Sequence, residues 1–296
     1  VDRRCTFFSD QPLSARAGFP LLFVSGTNGE SLVAEDDFDA WLPRFNVLFR
    51  ATDDVNLYAT VSKGRRSPVI DLDQDGATLI DAEEVWNYEG GVKANIGQFA
   101  GSVGVFFQDY TNFQTSFIDG SGQIVPVNAG EASNFGIEAE AVWTPTRSIR
   151  VFANYAYIDA EIDAPSDQPG ADAFVGSRFR LQPEHSASGG IDAAFPIGNT
   201  SHQFFLTPSV TYQSRVFFEQ PNDPDNPTLS EDGYTLVNLR AGVRFKDGQF
   251  GLTFFARNLL DEEYLIDAGN TGAVFGTPTF IAGEPRLYGI ELSARY

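Results

Sequence analysis

The stretch VWNYEGGVKANI (Val85–Ile96) has two faces. Trp86, Tyr88, Val92, Ala94 and Ile96 fall on one set of alternate positions, and Asn87, Glu89, Lys93 and Asn95 fall on the other. Successive side chains of a β-strand point to opposite sides, so the stretch predicts a strand with one greasy face and one wet face. The pattern repeats along the chain. Val55, Leu57, Ala59 and Val61 oppose Asn56, Tyr58, Thr60 and Ser62. Val237, Leu239, Ala241 and Val243 oppose Asn238, Arg240, Gly242 and Arg244. The closing run RLYGIELSARY (Arg286–Tyr296) does the same and ends on an aromatic. Helical period is nearly absent.

Eleven such runs are predicted, at 42–50, 55–64, 85–95, 99–110, 134–143, 149–159, 184–194, 202–214, 234–245, 250–258 and 286–296. Their connections alternate between short and long. Short links lie at 51–54, around Gly97, and at 144–148, 195–201 and 246–249; long ones lie at 65–84, 111–133, 160–183, 215–233 and 259–285. This alternation implies consecutive hairpins whose tight turns share one edge and whose long loops share the other.

Charge follows the same division. The chain of 296 residues carries 40 acidic and 20 basic residues, a net charge of −20 that argues against nucleic acid as a partner. The long loops with residues 1–41 hold 29 of the acidic residues and only 8 of the basic ones, so the acidity belongs to one rim. One cysteine, Cys5, excludes an internal disulfide and a cysteine metal cluster. No run approaches the length of a membrane-spanning helix. A soluble β-sandwich also alternates, with its apolar face turned inward. Strands of ~10 residues, loops sorted by length and aromatics near strand ends instead describe an antiparallel transmembrane β-barrel. The chain is therefore expected to be all-β, its apolar faces on lipid and its polar faces in a wet lumen. An odd number of strands does not suit a closed antiparallel barrel. Either FPLLFVS (19–25) is a twelfth strand or earlier strands are missing, and the absence of Met and of a signal peptide favours a piece of something longer.

NLYATVSKGRRSP (56–68), EVWNYEGGVKAN (84–95), NFGIEAEAVWTP (134–145), RVFANYAYIDAEI (150–162) and ARNLLDEEYL (256–265) resemble the C-terminal half of the barrel of TonB-dependent outer-membrane receptors. The piece from Asn258 to Tyr264, Asn-Leu-Leu-Asp-x-x-Tyr, is the most specific of them. The resemblance implies a barrel of about 22 strands closed by an N-terminal plug, of which this chain holds the last half. Residues 42–296 would be barrel and residues 1–41 an extracellular loop or partial strand. It further implies a place in the bacterial outer membrane, contact with lipid and lipopolysaccharide, and insertion by the barrel-assembly machinery. Coupling to the TonB complex would pass through the missing plug. The cargo would be a small-molecule ligand, in the first place a ferric siderophore. A passive porin-like or adhesin-like barrel is the alternative, and no enzymatic chemistry is expected, since no nucleophile motif accompanies His185 or His202.

Three sets of residues are candidates for function. The loop aromatics Tyr110, Phe113 and Phe117, with Phe217 and Phe218, are candidates for ligand contact. Lys93, Glu138, Glu140, Arg240, Arg244 and Arg257 stand on wet faces, where they would line the lumen, pair with one another or hold a plug. Asp71, Asp73 and Asp75 in DLDQDG resemble the start of a calcium loop, the only cofactor contemplated. Position twelve of that loop is Ala82 where a carboxylate belongs, so a plain solvated acidic loop competes with it. Trp41, Trp86, Tyr88, Trp143, Tyr155 and Tyr157 are expected to form an interfacial girdle.

Overall fold

A computed structural model describes residues 40–72, 77–118, 124–222, 229–246, 248–269 and 279–295. The expected strand at 19–25, Asp73 and Asp75 lie outside these. The strands are β1 (Arg44–Arg50), β2 (Val55–Arg66), β3 (Val69–Leu72), β4 (Ala77–Ile80), β5 (Glu83–Ile96) and β6 (Phe99–Ile118). There follow β7 (Ile124–Thr146), β8 (Ile149–Pro165), β9 (His185–Pro196), β10 (Gln203–Gln213), β11 (Val216–Phe217) and β12 (Ser230–Glu231). The last are β13 (Tyr234–Phe245), β14 (Phe250–Arg257), β15 (Leu265–Ala268), β16 (Phe280–Ala282) and β17 (Leu287–Ala294). Eleven of them make one sheet in the order β1-β2-β5-β6-β7-β8-β9-β10-β13-β14-β17, matching the eleven predicted runs one for one. Every pairing in it is antiparallel. Pairs β3-β4, β11-β12 and β15-β16 are separate two-stranded ribbons in the long connections. Among the described residues β1 and β17 are the two edges of an open sheet.

The register carries each face across many strands. One outward row runs Ile96, Phe99, Trp143, Val151, Ile191, and another Tyr88, Phe107, Phe135. Eight residues of β5 separate them, about 26 Å along the strand at ~3.3 Å per residue. That approaches the ~25 Å apolar band of outer-membrane barrels before strand tilt is allowed for. The apolar side chains of this band face out of the sheet: Leu57 is 43% exposed, Leu252 43% and Ile290 71%. One row above Tyr88 the outward face turns polar, through Lys63, Trp86, Asp109 and Ser133. Lys63 pairs there with Glu84 at 2.7 Å and lies over the Trp86 ring.

The other face is a polar trough of about 620 Å³ spanning β2 to β10. One of its rows reads Asn56, Lys93, Ser102, Glu140, Asn154, Ser188, Thr211. A single-layered sheet has no second layer to pack against, and aromatic rings on this face lie flat on the neighbouring strand instead. Phe106 stands in register with Gly136, and a Cβ on that glycine would run into the ring. Tyr58 likewise covers Gly91 and reaches Gly104. Ring and glycine partner each other again at Phe152 and Gly190, Phe205 and Gly242, and Phe255 and Gly289. These glycines leave room for close approach rather than serving turns.

Two differences from expectation stand out. Residues 111–118 and 124–133 are strand rather than loop; β6 and β7 stay paired well above the band. The alternation there is broken by Asn112 in the left-handed region (φ 58) and by Gly130 (φ 118), where the register shifts, so the run reads as irregular in sequence. The last long connection is likewise held shut at its base. Asn258 is 3% exposed, donates to the carbonyls of Glu262 (2.8 Å) and Glu284 (3.0 Å), and accepts from the Glu262 amide (2.8 Å). Asp261 pairs with Arg286 at 3.1 Å, and the Tyr264 ring covers Gly283. The three marked residues of Asn-Leu-Leu-Asp-x-x-Tyr thus grip Gly283–Arg286, the segment that leads into β17.

Two substitutions test these contacts. Gly136→Val should lower the stability of the purified protein by about 1–3 kcal/mol, and Phe106→Ala in the same chain should recover part of the loss. Asn258→Ala, which orphans buried backbone groups at both ends of the last connection, should cost about 1–3 kcal/mol. Thermal unfolding midpoints in detergent check both.

Candidate functional site

Above the band, β6 and β7 meet the segment 166–184, which includes a short 3-10 turn at Ala171–Phe174. The register break at Asn112 brings Tyr110 and Phe113 edge to face at 5.5 Å. Phe179 then stacks on Phe113 at 4.6 Å with planes 23° apart, while Tyr110 meets it edge-on at 5.9 Å. Phe117 is edge-on to Phe174 at 6.0 Å. The rings pack on a small core of Val127, Ala129, Ala132, Ile162 and Phe174. Burial pushes the Tyr110 hydroxyl above the ordinary phenol range, and the Glu83 carboxylate adds to the shift.

Segment 166–184 is sewn down by side chains that imitate backbone. Asn222 accepts from the Arg178 amide and donates to its carbonyl, each at 2.9 Å, as a neighbouring strand would. Ser177, fully buried, donates to the Asn222 carbonyl and accepts from its amide, each at 3.0 Å. Gln220 donates to the Arg178 carbonyl (2.9 Å) and accepts from the Thr115 hydroxyl (2.7 Å), so the knot reaches β6. Arg178 pairs with Asp159 of β8, and Arg180 forks onto Asp267 of β15 at 3.0 and 3.2 Å. Three long connections are thereby joined into one body.

Between that body and β6 lies a cavity of about 900 Å³. Phe113, Phe117 and Phe179 supply its apolar wall, and Arg66, Gln114, Thr115, Glu219 and Gln220 its polar one. Gln114 is 6% exposed and spends both amide hydrogens, on the carbonyls of Ser67 (3.0 Å) and Asp81 (2.8 Å). Its orientation is therefore fixed, and its Oε1 has no partner among the described residues. Arg66 donates to the Gln114 carbonyl at 3.2 Å and makes no ion pair among the described residues.

The candidate residues sort as follows. Phe113 and Phe117 line the cavity, and Tyr110 supports them from beneath. Phe217 and Phe218 do not reach it: they are 7% and 0% exposed, and Phe218 packs with Val216 and Ala268 in a second loop core. Lys93, Glu138 and Glu140 line the trough, with the Lys93 Nζ 5.3 Å from the centre of the Tyr58 ring. Arg240 pairs with Glu291 at 3.0 Å and Arg257 with Glu284 at 3.3 Å, while Arg244 lies over Phe205 at 4.4 Å. Asp71 lies in β3, with Asp73 and Asp75 beyond the described residues; no metal-ligating cluster occurs among the described residues. Phe179 and Arg66 carry no sequence signal of their own. Each becomes a wall residue only because of what folds against it.

A family model described as TonB dependent receptor-like, beta-barrel, matches residues 19–259. This chain belongs to that family. A TonB-dependent receptor barrel is an outer-membrane structure, so the apolar band faces the outer membrane and the long connections its outer side. Among curated relatives, the metal-pseudopaline receptor CntO of Pseudomonas aeruginosa is 34% identical over 257 residues. The match covers 86% of this chain and 33% of that protein, so the chain spans about a third of its relative's length. The fold is that of the ferric yersiniabactin uptake receptor FyuA from Yersinia pestis, with TM-score 0.72 and 19% identity over 88% of this chain and 38% of that one. BauA, the ferric preacinetobactin receptor from Acinetobacter baumannii, gives 0.66 and 21% over 90% and 37%.

Asn222→Ala should leave the barrel intact and free the knot. The Arg178 amide, which loses its acceptor, should exchange with solvent about tenfold faster or more by hydrogen-exchange mass spectrometry, while amides of β9 and β10 stay unchanged.

Proposed function

We propose that this chain is part of a receptor that takes up a scarce metal chelate across the outer membrane, a ferric siderophore in the first place, by the energised route of its family. The observation that carries this reading is the cavity at the outer mouth. Its volume is in the usual range for small-molecule sites, ~300–1,000 Å³, and it sets convergent polar groups beside aromatic walls. It is built from the long connections on the outer side, above a wet wall through which cargo could pass. The names of the relatives, receptors for metal or ferric chelates, point the same way.

On this reading the trough is the seat of a plug. Lys93, Glu138 and Glu140 offer it charges that form no ion pair among the described residues, Arg244 a cation, and Arg240 and Arg257 ion pairs that can be exchanged. The plug would carry the contact with TonB. The exposed band and its aromatic rows meet lipid, and the carboxylate-rich rim meets divalent cations among lipopolysaccharide. Assembly would proceed through the barrel-assembly machinery. No covalent chemistry is assigned to any residue.

The test is uptake of radiolabelled ferric chelates by iron-starved cells. Deleting the gene that encodes this chain should abolish receptor-dependent uptake of its chelate, and so should loss of TonB with the gene intact. Uptake that persists without TonB, together with swelling of liposomes containing the protein, would instead establish a passive pore.

A further inference from the structure

The mouth cavity says more about its occupant than that it is small. Resting on the function proposed above, we infer that the chelate carries a planar ring, which extends the Phe113–Phe179 stack, and an anionic arm, which meets Arg66.

The rings are the first ground. Phe113 and Phe179 are stacked on each other, and both line the cavity. Phe117 stands beside them with its other side packed on Phe174. These phenylalanines are held from behind, by Tyr110, Ile162 and Val127, and only partly buried in front. A partly open, rigid stack is a poor surface to leave to water and a good one for another planar ring. An aliphatic chelate would cover the same area without the ring-on-ring term.

The polar groups are the second ground. Arg180 is committed to Asp267, whereas Arg66 uses one donor on the Gln114 carbonyl and pairs with no carboxylate among the described residues. Its planar fork suits a carboxylate or phenolate oxygen. Beside it, the Gln114 amide is fixed by the carbonyls of Ser67 and Asp81, which holds this wall of the cavity in place. Apolar plates beside a cation describe an amphipathic chelate, not a uniformly hydrophilic one.

The experiment uses the receptor expressed from its complete gene, purified in detergent, with three iron(III) probes: an aryl catecholate complex, an aliphatic hydroxamate complex and ferric citrate. Binding is followed by fluorescence quenching, and uptake in cells by radiolabel. The aryl complex should bind at least about tenfold tighter than either aliphatic one. Phe113→Leu with Phe179→Leu keeps the apolar volume and should erase that preference; Arg66→Gln should weaken the aryl complex several-fold while its preference over hydroxamate persists. Phe250→Leu, on the lipid face at the far end, controls for folding, with hydrogen-exchange protection of β6 and β7 as the readout in every variant. An aliphatic complex that binds as tightly as the aryl one, or an aryl affinity unmoved by the double variant, overturns the inference and leaves the proposed uptake standing. Failure of all three probes to bind or enter overturns both.

Discussion

Hydrocarbon offers the backbone no hydrogen-bonding partner, and the architecture of this chain follows from that. Each N–H and C=O inside the membrane must pair with another strand. The result is an antiparallel ladder carried without interruption across eleven strands. Once every backbone group is spent sideways, side chains have only two directions left, and the period of two becomes the dividing line between lipid and lumen. Leu57 and Asn56 are neighbours in sequence and inhabit different solvents. A one-residue slip anywhere would exchange those solvents for a whole strand, which is why register here is a condition of existence in the membrane rather than a refinement.

A wall one residue thick has no interior, so it obtains packing in another way. Tyr58, Phe106, Phe152, Phe205 and Phe255 lie along the wall with glycines beneath them. Each ring covers backbone that would otherwise face the lumen and fixes the register locally by demanding a glycine opposite. Above the membrane the constraint relaxes and ordinary small cores return, with Ile162, Phe174 and Phe218 almost wholly buried. Phenylalanine therefore has three different meanings in this chain: lipid contact at Phe254, a plate on glycine at Phe106, and packing on a small core that walls a cavity at Phe113.

This multiplicity explains what sequence could and could not disclose. The eleven strands were legible because alternation is imposed by the backbone and survives any choice of side chain. The upper halves of β6 and β7 were not, because Asn112 and Gly130 shift the phase and end the simple pattern. Phe113 was legible as a loop aromatic, but its stacking partner Phe179 lies far away in sequence and no periodicity connects them. Phe217 and Phe218 looked equivalent to Phe113 and proved to be core, since both sides of the β11-β12 ribbon are covered. The motif from Asn258 to Tyr264 was recognisable as a pattern; its purpose needs Gly283–Arg286 beside it, twenty residues on.

The outer segments are strongly acidic, and several of their cations are spent on ion pairs: Arg180 joins Asp267 across two connections, Arg178 meets Asp159 on β8, and Arg215–Asp232 and Arg286–Asp261 each close a single connection. Such partly exposed pairs contribute little stability individually, about 0–1 kcal/mol, but each fixes the position of a loop. At physiological salt the field of the remaining carboxylates is largely screened beyond ~8 Å, so it acts only close to the rim. On the proposed function, selection would be made at contact, where Arg66 and a ring stack lie inside an acidic surround. On the proposed reading a chelate would be admitted by what it touches, and the walls it would touch are held in place by the same hydrogen bonds and by the Arg180–Asp267 pair that bind the loops to one another.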